Sequence, residues 1–306
     1  MDTADAPLQT GTIALLGLLA LLAIGFTTYW WRFARTPAAN RDPARPVDYA
    51  IGALTNFFDT LGIGSFAPTT SLFKFLRRMR DEQIPGTLNA GHALPTVTQA
   101  LVFITRVNVD FTTLGAMIAA AVAGAWLGAG VVTRMPRNRI QIGMGFALIV
   151  AATLFTGANL GWVPAGGVAR GLSGWLLAIA VAVSFVLGAL MTLGIGLYAP
   201  CLIMVSLMGL DPVVAFPIMM GSCAFLQPSA GMRFIARNRY HRGASIALTL
   251  GGIPAVLVAA YVVRSLPLEW LRWLVIVVVV IAAAMMLRSA AQKEETAQAI
   301  RPIAAA

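Results

Sequence analysis

Residues 60–68 read Thr-Leu-Gly-Ile-Gly-Ser-Phe-Ala-Pro, and residues 192–200 read Thr-Leu-Gly-Ile-Gly-Leu-Tyr-Ala-Pro. Seven of the nine positions are identical, and an eighth exchanges Phe66 for Tyr198. Each copy lies inside an apolar segment, where glycine weakens a helix and proline removes a backbone donor. Two hydrophobic segments that break at matching places in the two halves of a chain indicate the binding site of a transporter.

The composition around these copies is that of a polytopic membrane protein. Hydrophobic residues make up 58% of the chain and charged residues 11%, whereas about a quarter of the residues of a soluble domain are charged. The net charge of +10 is explained by basic residues in short loops that face an anionic leaflet. The expected partner is therefore the lipid bilayer, and nucleic acid is not expected because no soluble domain offers a basic face.

Metal and cofactor chemistry is not indicated by the sequence. The two cysteines, Cys201 and Cys223, lie in apolar segments and are most simply small buried hydrophobic residues. The chain has no cluster of Cys and His residues with the spacing of a structural metal site. We therefore expect neither a metal nor a cofactor.

Hydropathy and the repeat divide the chain into two similar halves. Each half begins with a broken segment and continues with three apolar spans, predicted at residues 85–105, 111–133 and 140–158 in the first half and at residues 212–234, 243–263 and 268–287 in the second. The repeat extends beyond the motif, since Arg106 matches Arg237 at an offset of 131 residues. The predicted organisation is an N-terminal transmembrane helix with a cytoplasmic linker (1–46), transport repeat 1 (47–158), a periplasmic loop (159–173), transport repeat 2 (174–288) and a cytoplasmic tail (289–306).

The distribution of basic residues predicts the topology. If each broken segment enters and leaves the membrane on the same side, all 22 Lys and Arg residues face the cytoplasm except Arg106, Arg170, Arg264 and Arg272. Each repeat then crosses the membrane an odd number of times, so the two repeats are inverted. The predicted fold is an all-α polytopic membrane protein with two inverted repeats, each a re-entrant V-shaped hairpin plus three transmembrane helices, and one extra N-terminal helix. Its N-terminus is expected outside a bacterial inner membrane and its C-terminus in the cytoplasm.

The broken segments are chemically suited to an anion. A half-helix that starts after Gly64 would direct unpaired N–H groups and the positive end of a dipole at a cavity, and neighbouring hydroxyl and amide groups would add neutral donors. The alternative interpretation is that these glycines only allow close helix packing. The predicted substrate-binding residues are Asn56, Thr60, Gly62, Gly64, Ser65, Asn89, His92, Gln99, Thr192, Gly194, Gly196, Ser222 and Gln227.

Asp59 and His92 are the candidates for proton coupling. An ionisable side chain inside a membrane span is energetically expensive and is taken as functional by default. Asp59 could instead cap the broken helix, and the second copy has Met191 at this position. His92 shares a helical face with Asn89, Thr96 and Gln99, where it could bind an oxyanion, take up a proton or simply bond to a neighbouring helix.

The duplicated Leu-Gly-Ile-Gly…Pro elements (61–68 and 193–200), the Gly221-Ser222 that follows the second one and the layout of the spans resemble the sulfite exporter TauE/SafE family of membrane transporters. The resemblance runs from about residue 48 to residue 288. It implies transport of organosulfur anions such as sulfite or sulfoacetate, largely outward. The chain departs from the family pattern at Ser65-Phe66 and Leu197-Tyr198, where further glycines are usual, and at His92.

The leading hypothesis is therefore a secondary carrier, expected to export small sulfur or organic oxyanions bound near the midplane between the two hairpin tips. It is not expected to be an enzyme. A passive anion channel is the first alternative. An intramembrane enzyme using Ser65 and His92 is the second, although Gly-Ile-Gly-Ser differs from the Gly-x-Ser-x-Gly pattern of hydrolases. Assembly into a homo-oligomer is left open.

Overall fold

The structure is a computed structural model that describes residues 9–36, 41–127, 137–160, 162, 167–191 and 197–265, with separate positions between 270 and 291. Within these ranges the chain is helical, and its only strand pairing is an isolated bridge between Ala169 and Leu210. This confirms the all-α prediction. The helices are α1 (Thr10–Ala34), α2 (Pro46–Thr60), α3 (Phe66–Phe75), α4 (Ile84–Gly91), α5 (Ala93–Arg106), α6 (Phe111–Leu127), α7 (Arg137–Asn159), α8 (Gly174–Met191), α9 (Tyr198–Leu207), α10 (Ala215–Ala236) and α11 (Arg242–Ser265).

Several helices are long and apolar enough to cross a bilayer. Among the described residues these candidate spans are Thr10–Ala34, Gly174–Met191, Pro212–Ala236 and Arg242–Val262. The first of them exposes large apolar side chains such as Leu18 and Leu21, as expected for a helix in contact with lipid. The Pro212–Ala236 span is mostly enclosed by protein. The predicted final span, residues 268–287, lies largely outside the described residues.

The span predicted at residues 85–105 is not one regular helix, because it is interrupted at His92 between α4 and α5. Pro95 causes the interruption, since it has no N–H to donate to the carbonyl of Gly91 four residues earlier. The Thr249 hydroxyl of α11 donates to that carbonyl instead, at 2.8 Å. The freed acceptor is therefore satisfied by a neighbouring helix, as apolar surroundings require.

The first glycine motif breaks the chain as predicted. Helix α2 ends at Thr60 and α3 begins at Phe66. Gly62 and Gly64 have φ angles of 99° and 90°, which glycine adopts without steric cost. The N–H of Gly62 donates to the Asp59 carbonyl and the N–H of Ile63 to the Phe58 carbonyl, the pattern that ends a helix with a left-handed glycine.

Helices α2 and α3 fold back on one another, so the chain returns to the end at which it began. Asp48 in the first turn of α2 forms a two-pronged ion pair with Arg78, three residues beyond α3, with distances of 2.8 Å from Nε to Oδ1 and 2.7 Å from Nη2 to Oδ2. Arg78 also donates to the Pro43 carbonyl. Both charged side chains are buried. The ion pair therefore connects the start of α2 to the segment that follows α3.

The same order of elements occurs in the second half of the chain. Helix α8 ends at Met191, and α9 begins at Tyr198 and has ten residues, the same length as α3. A 3-10 turn follows each ten-residue helix, at Asp81–Gln83 and at Pro212–Val214. Residues 192–196, the glycine-rich part of the second motif, lie outside the described residues.

The two halves exchange packing partners. Helix α2 makes its most extensive contacts with α11 of the second half, and α8 packs most extensively on α6 of the first half. Glycines bring the backbones together at both contacts. A methyl group on Gly52 would lie 2.7 Å from the Leu248 Cα, and one on Gly188 would collide with the Ala121 carbonyl oxygen. Small residues that allow such close approach drive helix association in membranes.

The cluster around Arg78 also makes stability depend on pH. His241 precedes α11, its Nδ1 accepts from the Ala244 N–H at 3.2 Å, and its Nε2 lies 3.1 Å from Arg78 Nη1. Burial, followed by the positive charge of Arg78, lowers the pKa of His241 below its ordinary value and outweighs the opposing effects of Asp42 and Asp48. A second proton on the ring would make both ring nitrogens donors, and each of them would then face another donor.

We expect the thermal unfolding midpoint in detergent to fall as the pH drops from 7.5 to 5.5. The unfolded chain protonates this histidine near its ordinary value of about 6.5, whereas the folded chain protonates it only at lower pH. The unfolded state therefore binds more protons in this range, and the stabilisation present above pH 6.5 is lost below it. His241→Gln should flatten the profile relative to the wild type. Because His92, the only other histidine, is present in both proteins, parallel profiles would contradict this assignment.

Candidate functional site

The first glycine motif faces the polar side of α5 in the interior of the protein. Side chains from α2, from the α2–α3 turn and from the α4–α5 region form one hydrogen-bonded network there. All are almost completely buried, so their polar groups must find partners within the protein. The predicted site residues that the structure brings together here are Asn56, Asp59, Thr60, Ser65, His92 and Gln99.

Asp59 links the end of α2 to the start of α3. Its Oδ1 accepts from the backbone N–H of Ser65 at 2.6 Å, and its Oδ2 accepts from Gln99 Nε2 at 2.9 Å. Ser65 is the residue that precedes the first turn of α3. The carboxylate of α2 thus caps the N-terminus of α3, where the helix dipole favours a negative charge. Phe66 and Ala67 follow in the first turn, where N–H groups have no intrahelical acceptor.

Gln99 joins this tip to the second motif. Its amide nitrogen also lies 3.0 Å from Thr60 Oγ1, and its Oε1 accepts from the Tyr198 hydroxyl at 3.2 Å. Tyr198 is the first residue of α9, so one glutamine contacts both copies of the repeated motif. Tyr198 was not among the predicted site residues. The exchange of Phe66 for Tyr198 between the copies was the available signal, because it adds a hydroxyl at an otherwise apolar position.

His92 is bonded on both sides of its ring. Its Nδ1 lies 3.1 Å from Asn56 Oδ1 and its Nε2 lies 3.1 Å from Thr69 Oγ1. The Asn56 amide nitrogen donates to the Gly52 carbonyl, which directs the Asn56 oxygen at the ring, so Nδ1 carries the hydrogen. Nε2 then accepts from the Thr69 hydroxyl, and the neutral ring is fully satisfied. His92 therefore joins α2 and α3 to the α4–α5 junction.

The remaining predicted residues lie in less central positions. Asn89 is half-buried and donates to the Pro85 carbonyl of its own helix, so it does not share the network of His92 and Gln99. The Ser222 hydroxyl donates to the Ile218 carbonyl within α10. Gln227 accepts from Thr96 at 2.9 Å and thus connects α10 to α5. The predicted residues Thr192, Gly194 and Gly196 lie outside the described residues.

Gly64 differs from the glycines that pack helices together. A methyl group on Gly64 would meet no described atom within 4 Å, whereas methyl groups on Gly124 and Gly188 would collide with backbone oxygens of Phe185 and Ala121. The positive φ of Gly64 is what requires glycine there. The motif glycines of the first half therefore shape the turn through their backbone conformation.

The Ser65 hydroxyl is an unused donor at this tip. Ser65 is 1% exposed, and its Oγ is one of two buried side-chain polar atoms without a hydrogen-bond partner in the described part of the chain. It interacts electrostatically with the Asp59 carboxylate but does not reach hydrogen-bonding geometry. The tip thus offers neutral donors to an anion. No group of His, Cys, Asp and Glu residues suited to a metal occurs among the described residues.

A comparison of the chain with models of protein families covers these same residues. The model of the family described as sulfite exporter TauE/SafE matches residues 6–155 and 176–306, so it includes both broken segments and the helices that enclose the network. A search of curated proteins and a search of solved structures each gave no significant match. Because the family match spans most of the chain, this membrane protein belongs to the sulfite exporter TauE/SafE family of transporters.

Proposed function

We propose that this protein is a secondary transporter that moves small sulfur and organosulfur oxyanions, such as sulfite or sulfoacetate, outward across a bacterial inner membrane. The observation that carries the proposal is the environment of the Asp59 carboxylate. It is held by the Ser65 N–H and the Gln99 amide, and no described Lys or Arg forms an ion pair with it. Neutral donors that hold the Asp59 carboxylate can also hold a transported oxyanion. Because no cation strengthens this binding, the site can release the transported anion.

The arrangement of the two halves supports transport by alternating access. Helix α2 of the first half packs on α11 of the second half, and α8 of the second half packs on α6 of the first. This exchange of partners is the contact pattern expected of two intertwined repeats. The meeting of Thr60, Gln99 and Tyr198 is expected if two hairpin tips enter from opposite faces and converge near the midplane. We accordingly propose inverted repeats, with the N-terminus outside and the C-terminus in the cytoplasm.

An enzymatic function has no comparable support at the same residues. A serine hydrolase needs its nucleophile within hydrogen-bond reach of a base. The ring nitrogens of His92 instead contact Asn56 and Thr69, and the Ser65 hydroxyl is unpartnered. The network therefore fits a binding role better than catalysis.

The proposal is tested by uptake of labelled sulfite, sulfoacetate, taurine and acetate into proteoliposomes, with and without a pH gradient. We expect slow, saturable flux of the sulfur oxyanions and much less of zwitterionic taurine. Gln99→Leu should reduce this flux by about 10- to 100-fold, because loss of a buried hydrogen-bond partner costs about 1–3 kcal/mol.

Thr98→Ala is the matched control for this variant. Thr98 is adjacent, and its hydroxyl bonds only to the Leu94 carbonyl of its own helix, so its flux should stay near that of the wild type. If no anion is taken up, the proposal is wrong. Large unitary currents in planar bilayers would instead identify a channel.

A further inference from the structure

The tip of the first hairpin already holds an anion that belongs to the chain. The Asp59 carboxylate comes from α2 and lies at the N-terminus of α3, where Ser65 N–H donates to Oδ1 at 2.6 Å and Gln99 donates to Oδ2 at 2.9 Å. These are the donors that a transported oxyanion would use under the proposed function, on which this inference rests. An incoming anion and Asp59 therefore compete for one set of donors.

The groups that face Asp59 are neutral at ordinary pH and do not balance its charge. Gln99 faces it from α5, Ser65 from the start of α3, Tyr198 from α9 and Cys223 from α10. The titratable groups among them are a phenol and a thiol, whose ordinary pKa values lie above neutrality. A second anion bound beside the ionised carboxylate would meet like-charge repulsion in surroundings of low polarity.

The tip has a donor that Asp59 uses only in part, because the Ser65 hydroxyl interacts with the carboxylate without a well-formed hydrogen bond. Ser65 is 1% exposed and its hydroxyl has no hydrogen-bond partner, although a buried hydroxyl is normally paired. A methyl group on its neighbour Gly64 would meet no atom of the described residues within 4 Å. A buried hydroxyl without a hydrogen-bond partner, next to a carboxylate that caps the helix, is the arrangement of a ligand site closed by the chain itself.

We propose that the Asp59 carboxylate competes with the transported anion for these donors and releases them only when it is protonated to the carboxylic acid. Each monoanion therefore binds together with one proton. The carboxylate oxygen takes this proton from water on the side from which the anion enters. The anion then accepts from the Ser65 N–H, the Ser65 hydroxyl and the Gln99 amide. The site carries one negative charge before and after the exchange, so transport of a monoanion is electroneutral.

The proposal is tested by isothermal titration calorimetry of the purified full-length protein with methanesulfonate, whose charge stays at −1 over the working pH range. Titration in two buffers of different ionisation enthalpy gives the number of protons taken up per anion. The same measurement with sulfite is corrected for the protonation of free sulfite. We expect about one proton per anion above the pH at which Asp59 ionises, and an affinity that falls about tenfold per pH unit there.

Asp59→Asn should bind the anion without proton uptake and with an affinity independent of pH. Asp110→Asn is the matched control, since Asp110 accepts from the Thr113 N–H at the start of α6 and thus caps a helix away from the tip. This control should keep the proton uptake of the wild type. If Asp59→Asn does not fold, the proton count of the wild type decides the question alone.

Two results would overturn the inference in distinguishable ways. Anion binding by the wild type without proton uptake, or an unchanged pH dependence in Asp59→Asn, would contradict the role of Asp59 and leave the proposed function intact. Failure of both sulfite and methanesulfonate to bind the folded wild-type protein would contradict the proposed function itself.

Discussion

Arg78→Ala is expected to lower the free energy of unfolding by about 3–5 kcal/mol, the usual cost of removing one partner from a buried ion pair. The variant leaves the Asp48 carboxylate 0% exposed with the Arg45 N–H as its remaining donor. It also removes the donor to the Pro43 carbonyl. Arg78→Lys should recover only part of the loss, because an ammonium group cannot reproduce the two-pronged contact. The measurement is thermal or denaturant unfolding in detergent, followed by tryptophan fluorescence.

Arg80→Ala provides the matched control. It removes the same charge from the same loop, but Arg80 is exposed, so its stability should change by less than about 0.5 kcal/mol. Asp48→Asn combined with Arg78→Met should be less destabilised than Arg78→Ala, because no uncompensated charge remains. Equal free energies of unfolding for the Arg78→Ala and Arg80→Ala variants would show that the ion pair does not hold the start of α2 to the segment after α3.

The broken helices were predictable because local chemistry determines them. Gly62 and Gly64 adopt backbone angles that other residues avoid, so the motif alone indicates where α2 ends. The spacing of His92, Thr96 and Gln99 likewise placed these side chains on one helical face, and each of them contacts another helix. Asn89 was predicted on the same face, but its side chain donates to the Pro85 carbonyl of its own helix.

Contacts between distant parts of the chain were not predictable. The sequence places Arg78 only among the basic residues expected to face the cytoplasm, and such residues near span ends normally remain in water. Its burial depends on Asp48, 30 residues earlier, and on His241, 163 residues later. The link from Gln99 to Tyr198 spans 99 residues. Such pairings depend on how helices pack, and no periodicity within one helix encodes them.

The glycines of the first motif and the packing glycines thus have different physical roles, although they look alike in the sequence. The backbone conformation of residue 64 requires glycine, and a methyl group there would meet no described atom within 4 Å. Gly188 has no positive φ and lies against the backbone of α6. Only the second kind fits the packing interpretation of small residues in membranes. The distinction is consistent with a role of the turn between α2 and α3 in the proposed binding site, and it assigns Gly188 to the packing of α8 against α6.

Gly188→Ala is therefore expected to destabilise the protein by about 1–3 kcal/mol, the typical cost of overpacking. The added methyl group would collide with the Ala121 carbonyl oxygen, and backbone atoms cannot move aside as the end of a flexible side chain can. Helix α8 would have to separate from α6, and Gly124, which lies against the Phe185 carbonyl in the same contact, would lose its close approach. The preference of alanine over glycine in helices, up to about 1 kcal/mol, offsets only part of this loss.

Gly17→Ala is the control that separates packing from helix propensity. Gly17 lies in α1, and a methyl group there meets nothing within 4 Å, so the substitution should leave the unfolding midpoint unchanged or raise it slightly. Both variants gain the same intrinsic preference, and only Gly188→Ala introduces a collision. Equal midpoints in detergent would mean that α6 and α8 do not approach as closely as described. A lower midpoint for Gly188→Ala alone would show that close backbone contact between the two halves stabilises the fold.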